Sequence, residues 1–219
     1  MNQLVFKFPF KKKYYEQDFY VSSNNFSVYQ LIESWPNWPD KWVNIYGPSG
    51  CGKTHLSNIL KKKIGSTKII DAEMINNETV AKLEKLNFFI IDNFEQNIEE
   101  NLFYSLLNHS KQLNNYILIN SLTPIKDQNF KSKDLQSRAK SFVDLGVELP
   151  TDDLLRVIIS KAFSDKQIDI SPSISEYIIK NIERSYEKVF KFIKEIDDLS
   201  LSSGKSININ LIKKVLINE

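Results

Sequence analysis

Gly47-Pro48-Ser49-Gly50-Cys51-Gly52-Lys53-Thr54 satisfies every fixed position of the phosphate-binding pattern GxxxxGK[ST]. Glycines let successive backbone N–H groups turn toward phosphate oxygens, Lys53 supplies a point charge, and Thr54 offers a hydroxyl to Mg²⁺. Pro48, Ser49 and Cys51 fill the free positions and His55 follows directly, so residues 47–55 form the candidate nucleotide-binding stretch. Cys51 reads as filler there rather than as a nucleophile. A second group of residues fits the same chemistry. Phe88-Phe89-Ile90-Ile91 delivers one carboxylate, Asp92, at the end of an apolar run, as a second magnesium ligand requires. Many nucleotide-hydrolysing proteins carry, just after this Asp, an acid that orients or activates water. Here Asn93 stands in that place and cannot accept a proton, so self-hydrolysis is expected to be slow. Asn120-Ser121 could reach the terminal phosphate or its water, and a turn-forming pair reads equally well. Asp134-Leu135-Gln136-Ser137-Arg138 ends in a guanidinium that could either stabilise transition-state charge on another subunit's γ-phosphate or form a surface ion pair.

The elements that must position these groups alternate. Strands are expected over Val43–Tyr46, Lys68–Asp71, Asn87–Asp92, Tyr116–Asn120 and Phe142–Leu149. Between and before them, helices are expected over Asn25–Ser34, Thr54–Lys63, Asn76–Leu86 and Ile98–Leu113, whereas the Asp134–Arg138 stretch reads as a polar loop. Trp35-Pro36 and Trp38-Pro39 punctuate a turn. Strict alternation predicts an α/β fold: a mostly parallel sheet covered on both faces, with ligand sites at the carboxyl ends of its strands. From Thr151 the alternation stops. Thr151 caps a helix to Lys166 with Asp152 and Asp153 in its first turn, Ser171 and Pro172 open another to Ile182, and further helices are expected from Tyr186 to Leu201 and from Asn210 onward. A boundary is placed at Pro150, giving an N-terminal segment 1–22, a phosphate-loop core 23–150 and a small all-α lid 151–219.

Composition narrows the class. At 219 residues, 42% hydrophobic and 26% charged, the chain has room for one α/β core and one appendage. No apolar run is long enough to cross a bilayer, and apolar residues precede the Lys11-Lys12-Lys13 run, the reverse of a secretory signal. One cysteine allows no internal disulfide. A cytoplasmic, reducing location with no membrane partner is expected. The net charge of +2 does not announce nucleic acid. His55 and His109 are too few and too separated for a metal site.

Taken in order, GPSGCGKTH (47–55), FFIIDN (88–93), INSLTP (119–124) and DLQSR (134–138) resemble the AAA+ ATPases of the DnaA/Hda family over nearly the whole chain, and most of all its shorter Hda branch, the regulatory inactivators of DnaA. The resemblance implies a core with a helical lid, ADP or ATP with Mg²⁺ as ligand, and Arg138 as an arginine finger acting in trans. Asp18-Phe19-Tyr20-Val21 resembles the family's adenine-side segment. Gln3-Leu4-Val5-Phe6-Lys7-Phe8 resembles the peptide by which the inactivators enter a groove on the DNA polymerase III sliding clamp, its β subunit, with Gln3, Leu4, Phe6 and Phe8 as anchors. Leu4, Phe6, Phe8 and Phe10 also alternate as in an ordinary strand laid on a core. The family's nucleotide-sensing arginine in the lid is replaced by Glu187, with Arg184 or Lys188 as the basic residues that could substitute.

The resemblance thus implies a nucleotide-binding adaptor that links DnaA to the clamp, stimulates hydrolysis of DnaA-bound ATP and so restrains replication initiation. Its contact with DNA would be indirect, and self-association is left open. A DnaA-like initiator or helicase loader acting on DNA is the alternative. A free-standing phosphotransferase would need an acceptor pocket and a base, and the sequence offers no candidate pair.

Overall fold

The computed structural model describes residues 14–82, 86–95, 98–166, 168–203 and 207–217. Two compact units divide the chain between Glu148 and Leu149.

In the first unit, five strands, β1 (Trp42–Tyr46), β2 (Lys68–Asp71), β3 (Phe88–Phe94), β4 (Tyr116–Ser121) and β5 (Val143–Gly146), form one sheet in the order β2-β3-β4-β1-β5. Every pairing is parallel. β1 and β3 are apolar almost throughout because both faces of the sheet are covered, so their residues are buried without alternation. Helices α1 (Phe26–Glu33), α2 (Lys53–Ile64), α3 (Asn77–Lys82), α4 (Glu100–Gln112) and α5 (Lys133–Ala139) supply the cover. On one face Phe89, Ile91, Phe94, Phe103, Leu106 and Ile119 pack together with no exposure above a percent.

β4 is inserted between β1 and β3, and this insertion builds the site. The strand that feeds the phosphate loop and the strand that ends in Asp92 are one strand apart, and β4 delivers its own side chain between them.

The α/β expectation holds, with shifted bounds. α5 is the addition: residues 134–138, read as a polar loop, lie on a helix whose N-cap Ser132 accepts a hydrogen bond from the Leu135 N–H at 3.3 Å. β5 is shorter than the expected 142–149, and β3 runs two residues past Asp92 through an irregularity in its pairing with β4.

The second unit contains α6 (Asp152–Ser164), α7 (Pro172–Asn181), α8 (Tyr186–Ser203) and α9 (Ile209–Ile217). Leu155, Ile159, Phe163, Phe192, Ile196 and Ile212 form its core. The Thr151 and Ser171 caps form as the sequence implies, each hydroxyl accepting an N–H three residues on.

Besides Asp92, the first unit buries the carboxyl of Asp144. The Asp144 side chain on β5 is 5% exposed, has Lys126 Nζ at 3.4 Å and makes no hydrogen bond. Burial pushes its carboxyl above the usual carboxylate value, and Lys126 only partly opposes that. The native state therefore holds this proton more tightly than the unfolded chain does. Its stabilising effect is complete below the ordinary value of about 4 and is lost as pH rises through the raised native value. Urea unfolding of the wild type and of Asp144→Asn should give stabilities whose gap widens in favour of the variant as pH rises from about 4. Parallel profiles would contradict the assignment.

Candidate functional site

β1 ends at Tyr46 and the chain turns at once into the phosphate loop. Gly47 is required by close approach: a Cβ there would lie 2.7 Å from the Val147 carbonyl oxygen. Gly52, at φ 100°, is the N-cap of α2, and a Cβ on it would meet the Phe19 ring at 2.9 Å. A glycine cap offers no side chain to the first N–H groups of α2, so these donors stay available to an anion at the positive end of the helix. Lys61, Lys62 and Lys63 occupy the opposite end, where cations complement the helix dipole.

Lys53 folds back over the loop, its Nζ donating to the carbonyl oxygens of Gly47 at 2.7 Å and Pro48 at 3.0 Å. Thr54 Oγ1 donates to Asp92 Oδ2 at 2.8 Å. Asp92 Oδ1 accepts from Asn120 Nδ2 at 2.9 Å, and the same amide donates to Ser57 Oγ at 2.8 Å. Four side chains from α2, β3 and β4 thus converge at the carboxyl ends of the strands.

Both residues assigned to magnesium, Thr54 and Asp92, stand within hydrogen-bond distance, and their hard oxygens suit that ion. Asn120 Oδ1 is buried and has no hydrogen-bond partner, an acceptor available to a water on the metal or the nucleotide. The residues present therefore fit a Mg²⁺-nucleotide. When bound, the ion would neutralise charge between the phosphates; Thr54 and Asp92 would hold it, while Lys53 and the loop would hold the phosphates.

Ser57 was not anticipated from the sequence; its position one turn after Lys53 on α2 is the signal that points to it. The Asn120-Ser121 alternative resolves by strand alternation. Asn120 faces Asp92, whereas Ser121 faces the other side, donating to the Thr123 carbonyl and accepting from Asn44 Nδ2. The turn role belongs to Ser121.

Asn93 adopts a left-handed backbone at φ 57°, and its Nδ2 donates to Asp71 Oδ2 at 2.7 Å, at the end of the neighbouring strand β2. Its side chain is thereby committed to Asp71. His55 is also engaged elsewhere than the phosphates: its Nε2 lies 2.7 Å from the Tyr15 carbonyl oxygen, and its ring meets Tyr14 and Phe19 edge to face. Phe19 in turn stacks on Tyr29. His55 fastens the 14–20 segment beside the loop. Arg184, expected at the nucleotide, forms a two-point ion pair with Asp152 inside the helical unit, Nε at 2.8 Å and Nη2 at 3.2 Å. That fork holds the Asp152 carboxyl below its usual range. Gln3, Leu4, Phe6 and Phe8 lie outside the described residues.

Cys51 is 4% exposed. Burial raises its thiol pKa above the usual value even with Lys53 nearby, which suits a packing role. Alkylation by iodoacetamide at neutral pH should run at least about tenfold slower than for a free thiol and reach the normal rate in denaturant. Equal rates before and after unfolding would contradict this.

Arg138 lies elsewhere. Its guanidinium stacks over the Tyr104 ring at 5.2 Å, is half-buried, and has no carboxylate within ion-pair distance among the described residues. It lines a cavity with Lys41 and Trp42 at the start of β1 and Asn114 and Asn115 just before β4. This is the amino edge of the sheet. The chain's own phosphate loop follows the far end of β1, about 16 Å away for five strand residues.

Comparison with known proteins agrees with this geometry. A family described as RNA helicase matches residues 43–136, from β1 to α5. The chromosomal replication initiator protein DnaA of Porphyromonas gingivalis is 23% identical, covering 91% of this chain and 48% of its own. That of Borrelia turicatae is 27% identical, covering 96% and 54%. The chain spans about half the length of the curated relatives it matches. Among solved structures, domain III of the Thermotoga maritima initiation protein DnaA superposes with a TM-score of 0.77 at 17% identity, covering 96% of this chain and 98% of that one. DnaA bound to AMPPCP and single-stranded DNA superposes with a TM-score of 0.68 at 20% identity, covering 89% and 67%. At these identities the structures speak for the fold alone. No helix among the described residues is long and apolar enough to cross a membrane. In sequence the chain is thus similar to DnaA initiators at 23–27% identity, and in fold it is like domain III of DnaA.

Proposed function

We propose that this chain is a nucleotide-switched adaptor that holds adenine nucleotide with Mg²⁺ between its phosphate loop and Asp92 and lends Arg138 to ATP bound by DnaA. The observation that carries the reading is the placement of Arg138: half-buried, without a carboxylate partner among the described residues, and a strand length from its own phosphate loop. A guanidinium so placed cannot serve the nucleotide of its own core and is available to another molecule's. Asn93 supports the same division of labour. With an amide tied to Asp71 where a water-activating acid is expected, the chain's own nucleotide orders the interface rather than turning over. The product is ADP-bound initiator and fewer initiations, the role of a negative regulator of the Hda kind. Gln3, Leu4, Phe6 and Phe8 would dock the adaptor on the sliding clamp by filling pockets as an extended segment.

A second reading has its own support: a DnaA-like initiator or helicase loader acting on DNA, since the similar sequences are those of initiators and one similar structure holds single-stranded DNA. One experiment separates the two. Purified protein and clamp loaded on DNA are mixed with DnaA·ATP, and conversion to ADP is followed with and without residues 1–8. The adaptor accelerates conversion and loses this on deletion. Salt-sensitive DNA binding that survives the deletion, with no acceleration, favours the loader.

A further inference from the structure

The cavity beside Arg138, about 670 Å³, has a charge pattern that the finger alone does not require. Its lining includes three cations, Lys41, Lys111 and Arg138, against two carboxylates, Asp40 and Asp134. Lys41 is already spent: its Nζ donates to the Asn114 carbonyl at 3.0 Å and sits over the Tyr116 ring. Lys111, exposed in the last turn of α4, has no carboxylate within ion-pair distance among the described residues, and neither has Arg138. Two cations from two different helices, neither in an ion pair among the described residues, therefore line one cleft whose ionisable side chains carry one net positive charge.

We propose that this cleft is a polyphosphate-receiving site in which Lys111 is the second cation beside Arg138, taking a triphosphate already held by a partner protein. The inference rests on the reading of Arg138 given above. A partner-held ligand is favoured because the cleft is built from the end of α4, from α5 and from the start of β1, with no glycine-rich turn to cradle phosphates by backbone N–H groups. Arg138 offers a planar fork to the terminal phosphate, whereas Lys111 acts as a point charge and tolerates small differences in position. Asp134, exposed on α5 in the same cleft, opposes the ligand.

The sign of these charges supplies the test. In the DnaA·ATP conversion assay, Lys111→Ala should lower the stimulated rate about tenfold, Lys111→Arg should recover most of it, and Asp134→Asn should raise it about two- to threefold. Thermal unfolding of each variant checks that the fold is retained. Loss with Arg138→Ala but wild-type rates with Lys111→Ala would overturn this inference and leave the adaptor reading intact. Wild-type rates with Arg138→Ala would overturn both. Saturable binding of free tripolyphosphate to a Lys53→Ala protein, abolished by adding Lys111→Ala, would assign the cleft to a free ligand and overturn the partner-held form.

Discussion

With Arg138→Ala, the clamp-dependent stimulation of hydrolysis of DnaA-bound ATP should fall by about 10³-fold or more, to the level of DnaA alone. An arginine supplied in trans to a transferring phosphoryl group contributes about 10³ to 10⁵ in rate. The structure gives reasons to expect the full effect. Arg138 rides on a capped helix and is steadied by the Tyr104 ring, so its guanidinium is partly ordered before any partner arrives. No carboxylate among the described residues must be displaced to free it. Arg138→Lys should recover little, because an ammonium lacks the planar fork. Clamp association should be the same for both variants, since the segment assigned to that contact is 3–8.

Lys53→Ala should weaken adenine nucleotide binding by about 10²-fold, measured by titration with a fluorescent analogue. A charge-assisted hydrogen bond contributes a net of about 1.5–3 kcal/mol, and each 1.4 kcal/mol is tenfold in affinity. Lys53 also bonds two carbonyl groups of the loop itself, so its removal loosens the cradle as well as deleting a charge. Asp92→Ala should weaken binding chiefly in the presence of Mg²⁺, because the Asp92 carboxylate is joined to the Thr54 hydroxyl and has no bond to the loop backbone. An unchanged affinity for Lys53→Ala would remove the phosphate loop from the account.

The phosphate loop, the carboxylate at the end of β3 and the all-α second unit were legible because each rests on local chemistry: glycines at fixed offsets, an apolar run ending in one charge, and capped helices. What stayed hidden depends on direction. Asn93 is named readily as the residue after Asp92, but only the left-handed turn at φ 57° decides that its amide meets Asp71. Asn is the non-glycine residue most at ease in that conformation, which is the trace the sequence carries. The partners of His55 and Arg184 were hidden for a similar reason. A histidine on the loop helix can turn toward the phosphates or toward the 14–20 segment, and an arginine in the second unit can be claimed by a nearby acid such as Asp152. Asn44 was not anticipated at all. A polar side chain in the middle of Trp-Val-Asn-Ile-Tyr interrupts a buried strand, and the structure shows why it is tolerated: its amide donates to the Ile119 carbonyl and Ser121 Oγ and accepts from the Ile125 N–H, locking β1, β4 and the following turn together. The helix α5 is foreshadowed by Ser132 with Asp134 close behind, a capping signal carried by a short polar stretch.

The central claim is that chemistry takes place on the partner's nucleotide while this chain's own nucleotide only orders the interface. It is tested most directly by loading the two proteins differently: this chain with AMPPCP, which it cannot hydrolyse, and DnaA with ATP labelled at the γ-phosphate, then following release of labelled phosphate on DNA-loaded clamp. The account predicts labelled phosphate release with a non-turning-over nucleotide, AMPPCP or ADP, in this chain's site, because no bond in its own nucleotide has to break. Release that runs only with ATP in its own site, and stops with both AMPPCP and ADP there, would show that this chain must hydrolyse its own nucleotide and would contradict the account.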